Sequence, residues 1–132
     1  MTYLIDTDVW VDFFKHKPAA MAFIEKLSQN TTLTLSTLTI TELRSGWTGQ
    51  DAELLLPHLY ALATVVPVTK EIAEQAGAWR QQFKAKGISL GTPDTVIAAT
   101  AYLNHASLVT NNTKDYPMEE VSLHNPATET LD

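Results

Sequence analysis

The sequence contains no cysteine. Disulfides, thiolate metal ligands and a cysteine nucleophile are therefore excluded, and any metal ion must be held by oxygen atoms or imidazole. No apolar run is long enough to span a bilayer, and residues 1–6 lack the basic start and long apolar stretch of a secretion signal. We therefore expect a cytoplasmic protein with no membrane association.

Positive charge is also scarce, since nine Lys and Arg residues face fifteen Asp and Glu residues, for a net charge of -6. A nucleic-acid partner usually shows as a basic excess, so the balance argues at first against one. However, carboxylates that bind one or two Mg²⁺ ions would return positive charge to the place where a phosphate would lie. Net charge alone therefore leaves an RNA partner open.

The length of 132 residues suits one domain, which we assign to residues 1–132. Short apolar runs typical of strands lie at residues 3–5, 33–36, 65–68, 107–110 and 121–123, and amphipathic or alanine-rich helical stretches separate them. Such alternation indicates an α/β fold with three layers, α/β/α, around a roughly five-stranded and mostly parallel sheet.

Four acidic residues follow predicted strands or begin predicted helices. Asp6 comes directly after the first strand. Glu42 lies near the start of a helix that carries residues 40–47 and that Ser36, Thr37 or Thr39 could cap. Asp94 falls in the first turn of a later helix, and Asp115 lies in the polar loop after the strand at 107–110. Because ligands collect where parallel strands end, we expect these carboxylates to converge at one edge of the sheet.

Start signals for two helices support this placement. Thr92 is predicted to be the N-cap of the helix that carries Asp94, with Pro93 at the first helical position. Thr69 is predicted to cap a long helix that runs through Lys86 and ends at Gly87. The remaining early acids, Asp8 and Asp12, are interpreted as a cap and an exposed residue.

Converging carboxylates repel one another unless a cation joins them, and an all-oxygen site suits Mg²⁺ or Mn²⁺. The chemistry that follows is metal-assisted hydrolysis of a phosphodiester. Asp6 and Asp94 would then be direct metal ligands, while Glu42 and Asp115 would bind a second ion or orient water. Near them, Thr110 or Asn112 could hold the ligands through hydrogen bonds.

The same acidic residues also allow interpretations other than a metal-dependent hydrolase. Any one acid at a helix start is commonly only a cap. A phosphotransferase with Asp6 as nucleophile and Asp8 as acid/base lacks the glycine-containing turn and the cap space, and a receiver domain lacks a central aspartate after a strand. A catalytically inactive module that uses this fold to bind a partner protein remains the alternative to an enzyme.

Four motifs in order carry a family resemblance. These are Leu4-Ile5-Asp6-Thr7-Asp8, then Thr41-Glu42-Leu43 with Gly46, then the eight residues from Asp94 to Ala101, then Leu108-Val109-Thr110-Asn111-Asn112-Thr113-Lys114-Asp115-Tyr116. Together they resemble the PIN-domain ribonucleases, and most of all the VapC-type toxins of bacterial toxin-antitoxin pairs. The resemblance covers nearly the whole chain.

The resemblance implies a five-stranded parallel sheet, an endoribonuclease site dependent on Mg²⁺ or Mn²⁺, an RNA substrate, a homodimer and a cognate antitoxin protein that inhibits it. It carries the metal-binding acids over to Asp6, Glu42, Asp94 and Asp115. Thr110 and Asn112 match the polar residues before the last acid, and either Asn112 or Asp115 completes the site. Pro93, directly before the third acid, departs from the family pattern.

A small basic face is predicted at the end of the helix that begins after Thr69. It comprises Arg80, Lys84 and Lys86, and the loop at residues 87–91 follows it. We expect RNA specificity to depend on the shape of this loop and on the basic face.

Overall fold

The computed structural model describes residues 1–129, so the last three residues of the predicted domain lie outside it. Five strands alternate with six α-helices, as the sequence predicts. The strands are β1 (Thr2–Ile5), β2 (Thr32–Ser36), β3 (Thr64–Val66), β4 (Ser107–Val109) and β5 (Leu123–His124). The helices are α1 (Thr7–Phe14), α2 (Pro18–Ser28), α3 (Thr37–Gly46), α4 (Gly49–Leu62), α5 (Lys70–Lys84) and α6 (Thr92–Leu103), with a short 3-10 turn at Thr113–Asp115.

All strand pairs are parallel, and the sheet order is β3-β2-β1-β4-β5. The central strand β1 pairs with β2 on one side and β4 on the other, so Leu4 stands between Thr34 and Leu108. The chain therefore moves outward from β1 through β2 and β3 and then returns across β1 to β4. In open α/β sheets ligands bind where the strand order reverses in this way, beyond the carboxyl ends of the strands.

The alternation of side chains along β1 divides the core into two layers. Tyr3 and Ile5 face a cluster built around Trp10 and Phe13 of α1, together with residues of α2 and α4. Leu4 faces the opposite cluster, which contains Trp79 of α5 and several alanines of α6. Neighbouring strand residues point to opposite faces, so both sides of the sheet are covered and the three-layer prediction is confirmed.

The structure places the start of α3 at the first of its three candidate caps. Ser36 both ends β2 and caps the helix by accepting a hydrogen bond of 3.1 Å from the Leu38 N–H, so the helix begins at Thr37. No loop separates strand from helix. Glu42 consequently lies in the second turn of α3, not at its N-terminus.

The start of α6 is shifted by one residue. Gly91 is the N-cap, and Thr92 and Pro93 are the first two helical residues, so the prediction that Thr92 is the cap was wrong. The Gly91 carbonyl accepts the Thr95 N–H at 3.1 Å and the Thr95 hydroxyl at 2.9 Å. Asp94 still lies in the first turn, as expected.

Helix α5 ends at a glycine turn. The predicted cap Thr69 accepts a hydrogen bond from the Ile72 N–H, and the helix ends at Lys84, two residues before the predicted end. Gly87 has a φ of 79°, a left-handed conformation that glycine adopts without steric cost, and the Ile88 N–H then bonds the Phe83 carbonyl at 2.9 Å. Within residues 1–129 no helix has the length and apolar character needed to cross a membrane.

Candidate active site

Asp6 occupies the junction between β1 and α1 and is the N-cap of α1. Its Oδ1 accepts a hydrogen bond of 2.8 Å from the Thr7 N–H, and its Oδ2 accepts hydroxyl hydrogen bonds from Thr110 (2.9 Å) and Tyr116 (2.7 Å). Only 8% of the residue is exposed. Burial of a carboxylate is costly unless donors surround it, and these three donors hold Asp6 in one orientation.

Tyr116 links Asp6 to the third acid. Besides donating to Asp6, its hydroxyl lies 3.5 Å from Asp94 Oδ1. Burial, followed by the negative charge of Asp6, raises the pKa of Tyr116. The phenol therefore keeps its proton and places it between two carboxyl groups.

Asp94 projects from the first turn of α6 and is partly buried. Burial is the main reason that its pKa is raised, and the charges of Asp6, Asp115 and, more weakly, Glu42 raise it further. The predicted acids therefore lie close enough to repel one another. Three of them line a single cavity of about 240 Å³, the acidic cavity. Its lining residues are Asp6, Thr7, Asp8, Glu42, Pro93, Asp94, Ile97 and Asn112.

Glu42 reaches the cavity from α3 and is held there by a threonine pair. The Thr7 hydroxyl donates to Glu42 Oε1 at 2.6 Å, and it lies 3.0 Å from the hydroxyl of the fully buried Thr39. Because one hydroxyl has one proton, Thr39 can donate to Thr7 while Thr7 donates to Glu42. This chain of hydroxyls ties α1 to α3 beside the acids.

The structure corrects the role assigned to Asp8. Asp6, not Asp8, caps α1, and Asp8 is half-buried in the cavity wall, where its Oδ2 accepts hydrogen bonds from the Asn111 N–H (3.1 Å) and Asn112 Nδ2 (2.8 Å). Burial, the charge of Asp6 and, more weakly, that of Asp12 raise the pKa of Asp8 to about 7. Asp8 thus fixes the loop that follows β4.

The six predicted site residues are only partly brought together. Asp6, Glu42, Asp94 and Asn112 line one cavity, and Thr110 donates to Asp6. Asp115 is not among the lining residues; it ends the 3-10 turn, and its charge reaches the site through its effect on Asp94.

Sequence reasoning did not assign Thr7, Thr39, Asp8 or Tyr116 to the site. A signal existed for Asp8, since it is two residues from a buried acid and the chain turns there. Tyr116 had no such signal, because it reaches Asp6 from 110 residues away in the sequence.

The oxygen donors of the cavity are of the type that binds a hard cation, but their arrangement does not form a ready metal site. Carboxylate and amide oxygens line it, and the buried Oδ1 of Asp8 has no hydrogen-bond partner in the part of the chain described. Yet among residues 1–129 no group of three or more histidine and acidic side chains is arranged to hold a metal ion. The residues fit Mg²⁺ or Mn²⁺ by donor type, and Asp6, Glu42 and Asp94 each have a hydroxyl group as a partner.

The raised pKa of Asp8 predicts a pH-dependent stability in metal-free buffer. The folded protein retains a proton on Asp8 up to a pKa of about 7, whereas the unfolded chain loses it near pH 4. The Asp8 charge therefore destabilises the folded state. This destabilisation is absent below about pH 4 and complete above about pH 7. We expect Asp8→Asn, whose amide oxygen can accept the same hydrogen bonds, to raise the free energy of unfolding at pH 8 by about 1–2 kcal/mol, since partial exposure screens the charge.

Urea unfolding with chelator at pH 5 and pH 8 measures this effect. The gain should be larger at pH 8 than at pH 5, and the exposed Asp51→Asn should show no such difference. An Asp8→Asn gain that is equal at both pH values would refute the pKa assignment.

A second prediction concerns the Tyr116 hydroxyl. Tyr116→Phe removes a donor to the buried Asp6 carboxylate and should lower the free energy of unfolding by about 1.5–3 kcal/mol. Tyr60→Phe is the matched control, because Tyr60 is 45% exposed. Equal midpoints for the two variants in urea unfolding would show that the Tyr116 hydrogen bond contributes no stability.

Comparison with known proteins identifies one family over nearly the whole chain. The PIN domain family matches residues 3–121. The ribonuclease VapC19 of Mycobacterium tuberculosis is 32% identical over 117 residues, which are 87% of this chain and 92% of that protein. The ribonuclease VapC2 of Rickettsia felis is 26% identical over 121 residues, or 88% and 90% of the two chains.

A solved structure agrees with these sequence relatives. A chain in the crystal structure of VapBC2 from Rickettsia felis, bound to a DNA fragment from its promoter, superposes with a TM-score of 0.84 and 25% identity. The match covers 95% of this chain and 98% of the other. The parallel five-stranded sheet and the helices on both faces are therefore those of a known fold.

Proposed function

Because the chain belongs to the PIN domain family and is related along most of its length to VapC ribonucleases, we propose that it is an endoribonuclease toxin dependent on Mg²⁺ or Mn²⁺. One observation carries the proposal: acids from the end of β1, from α3 and from α6 line a single cavity. Carboxylates that share one cavity repel one another in the absence of a cation, so their presence at the ligand-binding edge of the sheet favours a site for metal and phosphate.

The chain's own residues have distinct tasks in this proposal. Asp6 and Asp94 would hold the first ion, and Glu42 and Asp115 would hold a second ion or orient water. Thr110 and Tyr116 fix the Asp6 carboxylate, and they would keep it aimed during the reaction.

When bound, Mg²⁺ or Mn²⁺ would supply charge neutralisation at the phosphate and would lower the pKa of a bound water. No histidine lines the cavity. A proton taken from water would therefore pass to a carboxylate, for which Glu42 is placed best because it is exposed to solvent.

The proposed partners follow from the relatives. A chain of a toxin-antitoxin complex from Klebsiella pneumoniae is 27% identical to this chain and superposes on it with a TM-score of 0.77. We therefore extend a cognate antitoxin partner to this chain. We also propose that it forms a homodimer and acts in the cytoplasm, where RNA is available. An acidic cavity would be neutralised by a basic side chain of such a partner.

The end chemistry of the cleaved RNA tests the proposal. We expect the purified chain without any partner to cut labelled structured RNA with Mg²⁺ or Mn²⁺ and not with chelator. The products should carry no 2′,3′-cyclic phosphate, because water rather than the 2′-hydroxyl attacks phosphorus. Cyclic ends, or cleavage in chelator, would contradict the metal-dependent mechanism.

A second candidate function is a catalytically inactive PIN-like module that binds a protein partner. The observation in its favour is that no three acidic or histidine side chains among residues 1–129 stand ready to hold an ion. Absence of both cleavage and Mn²⁺ binding would select this function.

A further inference from the structure

A second cavity lies beside the C-terminal half of α5 and the loop that follows it. Its volume is about 550 Å³, and its wall contains Arg80 and Lys84 but no acidic side chain. This is unusual in a chain whose fifteen acidic residues outnumber nine basic ones. The composition of the wall points to an anionic ligand.

Arg80 is held in place by the loop that it faces. Its Nε donates a hydrogen bond of 2.9 Å to the Leu90 carbonyl. Within residues 1–129 its two terminal nitrogens make no hydrogen bond or ion pair. A guanidinium fixed at Nε presents those two nitrogens as a preorganised fork, which matches the oxygens of a phosphate.

Lys84 lies four residues after Arg80 and therefore on the same face of α5. It is exposed and forms no ion pair in the part of the chain that the structure describes. The two cations thus lie side by side on the α5 wall of the cavity, and residues 87–90 of the following loop also line it.

This second cavity, the groove, is connected to the acidic cavity by a short stretch of chain. Leu90, which accepts the Arg80 hydrogen bond, precedes Asp94 by four residues, so their Cα atoms are at most about 14 Å apart. A polyanion that enters the acidic cavity meets carboxylates there, and it needs positive charge nearby to stay bound. The groove provides that charge at the other end of the same short loop.

From this geometry we propose that the groove formed by α5 and residues 87–90 binds the RNA backbone next to the phosphodiester held in the acidic cavity, with Arg80 and Lys84 each contacting a phosphate. This proposal rests on the proposed endoribonuclease function. An acidic peptide would satisfy the same cations, but its path would lead towards repelling carboxylates, whereas RNA has a substrate role there.

Salt-dependent binding of RNA tests the groove without cleavage. Fluorescein-labelled single-stranded RNA is titrated with the Asp94→Asn chain in Mg²⁺ at several NaCl concentrations, alone and with Lys84→Gln or Arg80→Gln added. Each lost phosphate contact should reduce the slope of log K against log salt by about 0.7, which is about fivefold in affinity at 0.1 M salt. The matched control is Lys26→Gln, an exposed lysine on α2 that changes net charge equally.

The outcomes separate the groove from the proposed function. If both groove variants bind with the affinity and slope of Lys26→Gln, the groove proposal is wrong, even where the unsubstituted chain cleaves RNA. If the groove variants reduce the slope of log K against log salt while the unsubstituted chain cleaves no RNA, RNA binding by the groove is supported and the nuclease proposal fails. Displacement of the labelled RNA by polyglutamate at the concentration at which inorganic polyphosphate displaces it would overturn the choice of RNA over an acidic peptide.

Discussion

Asp94→Asn is expected to reduce RNA cleavage by more than about 100-fold, since loss of groups that merely support metal ligands costs 10–100-fold. Asp94 lines the acidic cavity, and the Tyr116 hydroxyl lies between it and Asp6. Asparagine keeps the size of the side chain but removes the charge that would bind the ion. The comparison is a single-turnover rate in Mn²⁺ for the variant and the unsubstituted chain.

The same variant should fold at least as well as the unsubstituted chain. Burial and the charges of Asp6 and Asp115 raise the pKa of Asp94, so removal of its charge relieves repulsion in metal-free buffer. Asp51→Asn, which neutralises an exposed acid on α4, is the control and should cleave normally. An Asp94→Asn chain that is fully folded and cleaves at the unsubstituted rate would remove Asp94 from the active site.

Divalent metal is expected to stabilise the folded chain strongly. An ion that binds only the folded state adds about 2.7 kcal/mol at 100 times its Kd, which corresponds to a rise in Tm on the order of 10 °C for a domain of this size. The physical reason is that the ion offsets both the burial of the Asp94 carboxylate and its repulsion by Asp6 and Asp115, which together raise the pKa of Asp94.

Thermal unfolding with Mn²⁺, with Mg²⁺ and with chelator measures this shift. Asp94→Asn should lose most of it, while Lys26→Gln should retain it, which separates binding in the cavity from binding at the surface. A shift of equal size in Asp94→Asn would place the ion elsewhere on the chain.

The layer architecture could be predicted from sequence because strand runs and helical stretches alternate with clear turn signals between them. The positions of Asp6 and Asp94 followed from the same reasoning, since each adjoins a strand end or helix start whose signals are local. The exact helix starts were less accessible, because several neighbouring residues can serve as the cap: Ser36, Thr37 or Thr39 for α3, and Gly91 or Thr92 for α6.

The hydrogen-bond network around the acids could not be read from the sequence. Tyr116 and Thr110 reach Asp6 from more than 100 residues away, and only the pairing of β1 with β4 brings them there. Asp8 was predicted to be a cap because local rules favour one there, whereas tertiary contacts with Asn111 and Asn112 place it half-buried in the cavity wall. Long-range packing decides such roles.

The choice between Asn112 and Asp115 illustrates the same limit. Both follow β4 within a few residues, and spacing alone did not decide between them. In the structure Asn112 lines the cavity, while Asp115 lies in the 3-10 turn and acts on Asp94 through charge. The path of the loop, which Asp8 fixes, sets this difference.

Restoration of cleavage by titrated Mn²⁺ tests the central claim most directly. The purified chain is stripped with chelator, dialysed, and mixed with end-labelled RNA at increasing Mn²⁺, beside Asp94→Asn from an identical preparation. We predict that cleavage returns with the same midpoint as Mn²⁺ binding measured by calorimetry, and that it does not return in the variant. Cleavage before Mn²⁺ is added, or equal cleavage by Asp94→Asn, would contradict a metal-dependent ribonuclease site in the acidic cavity.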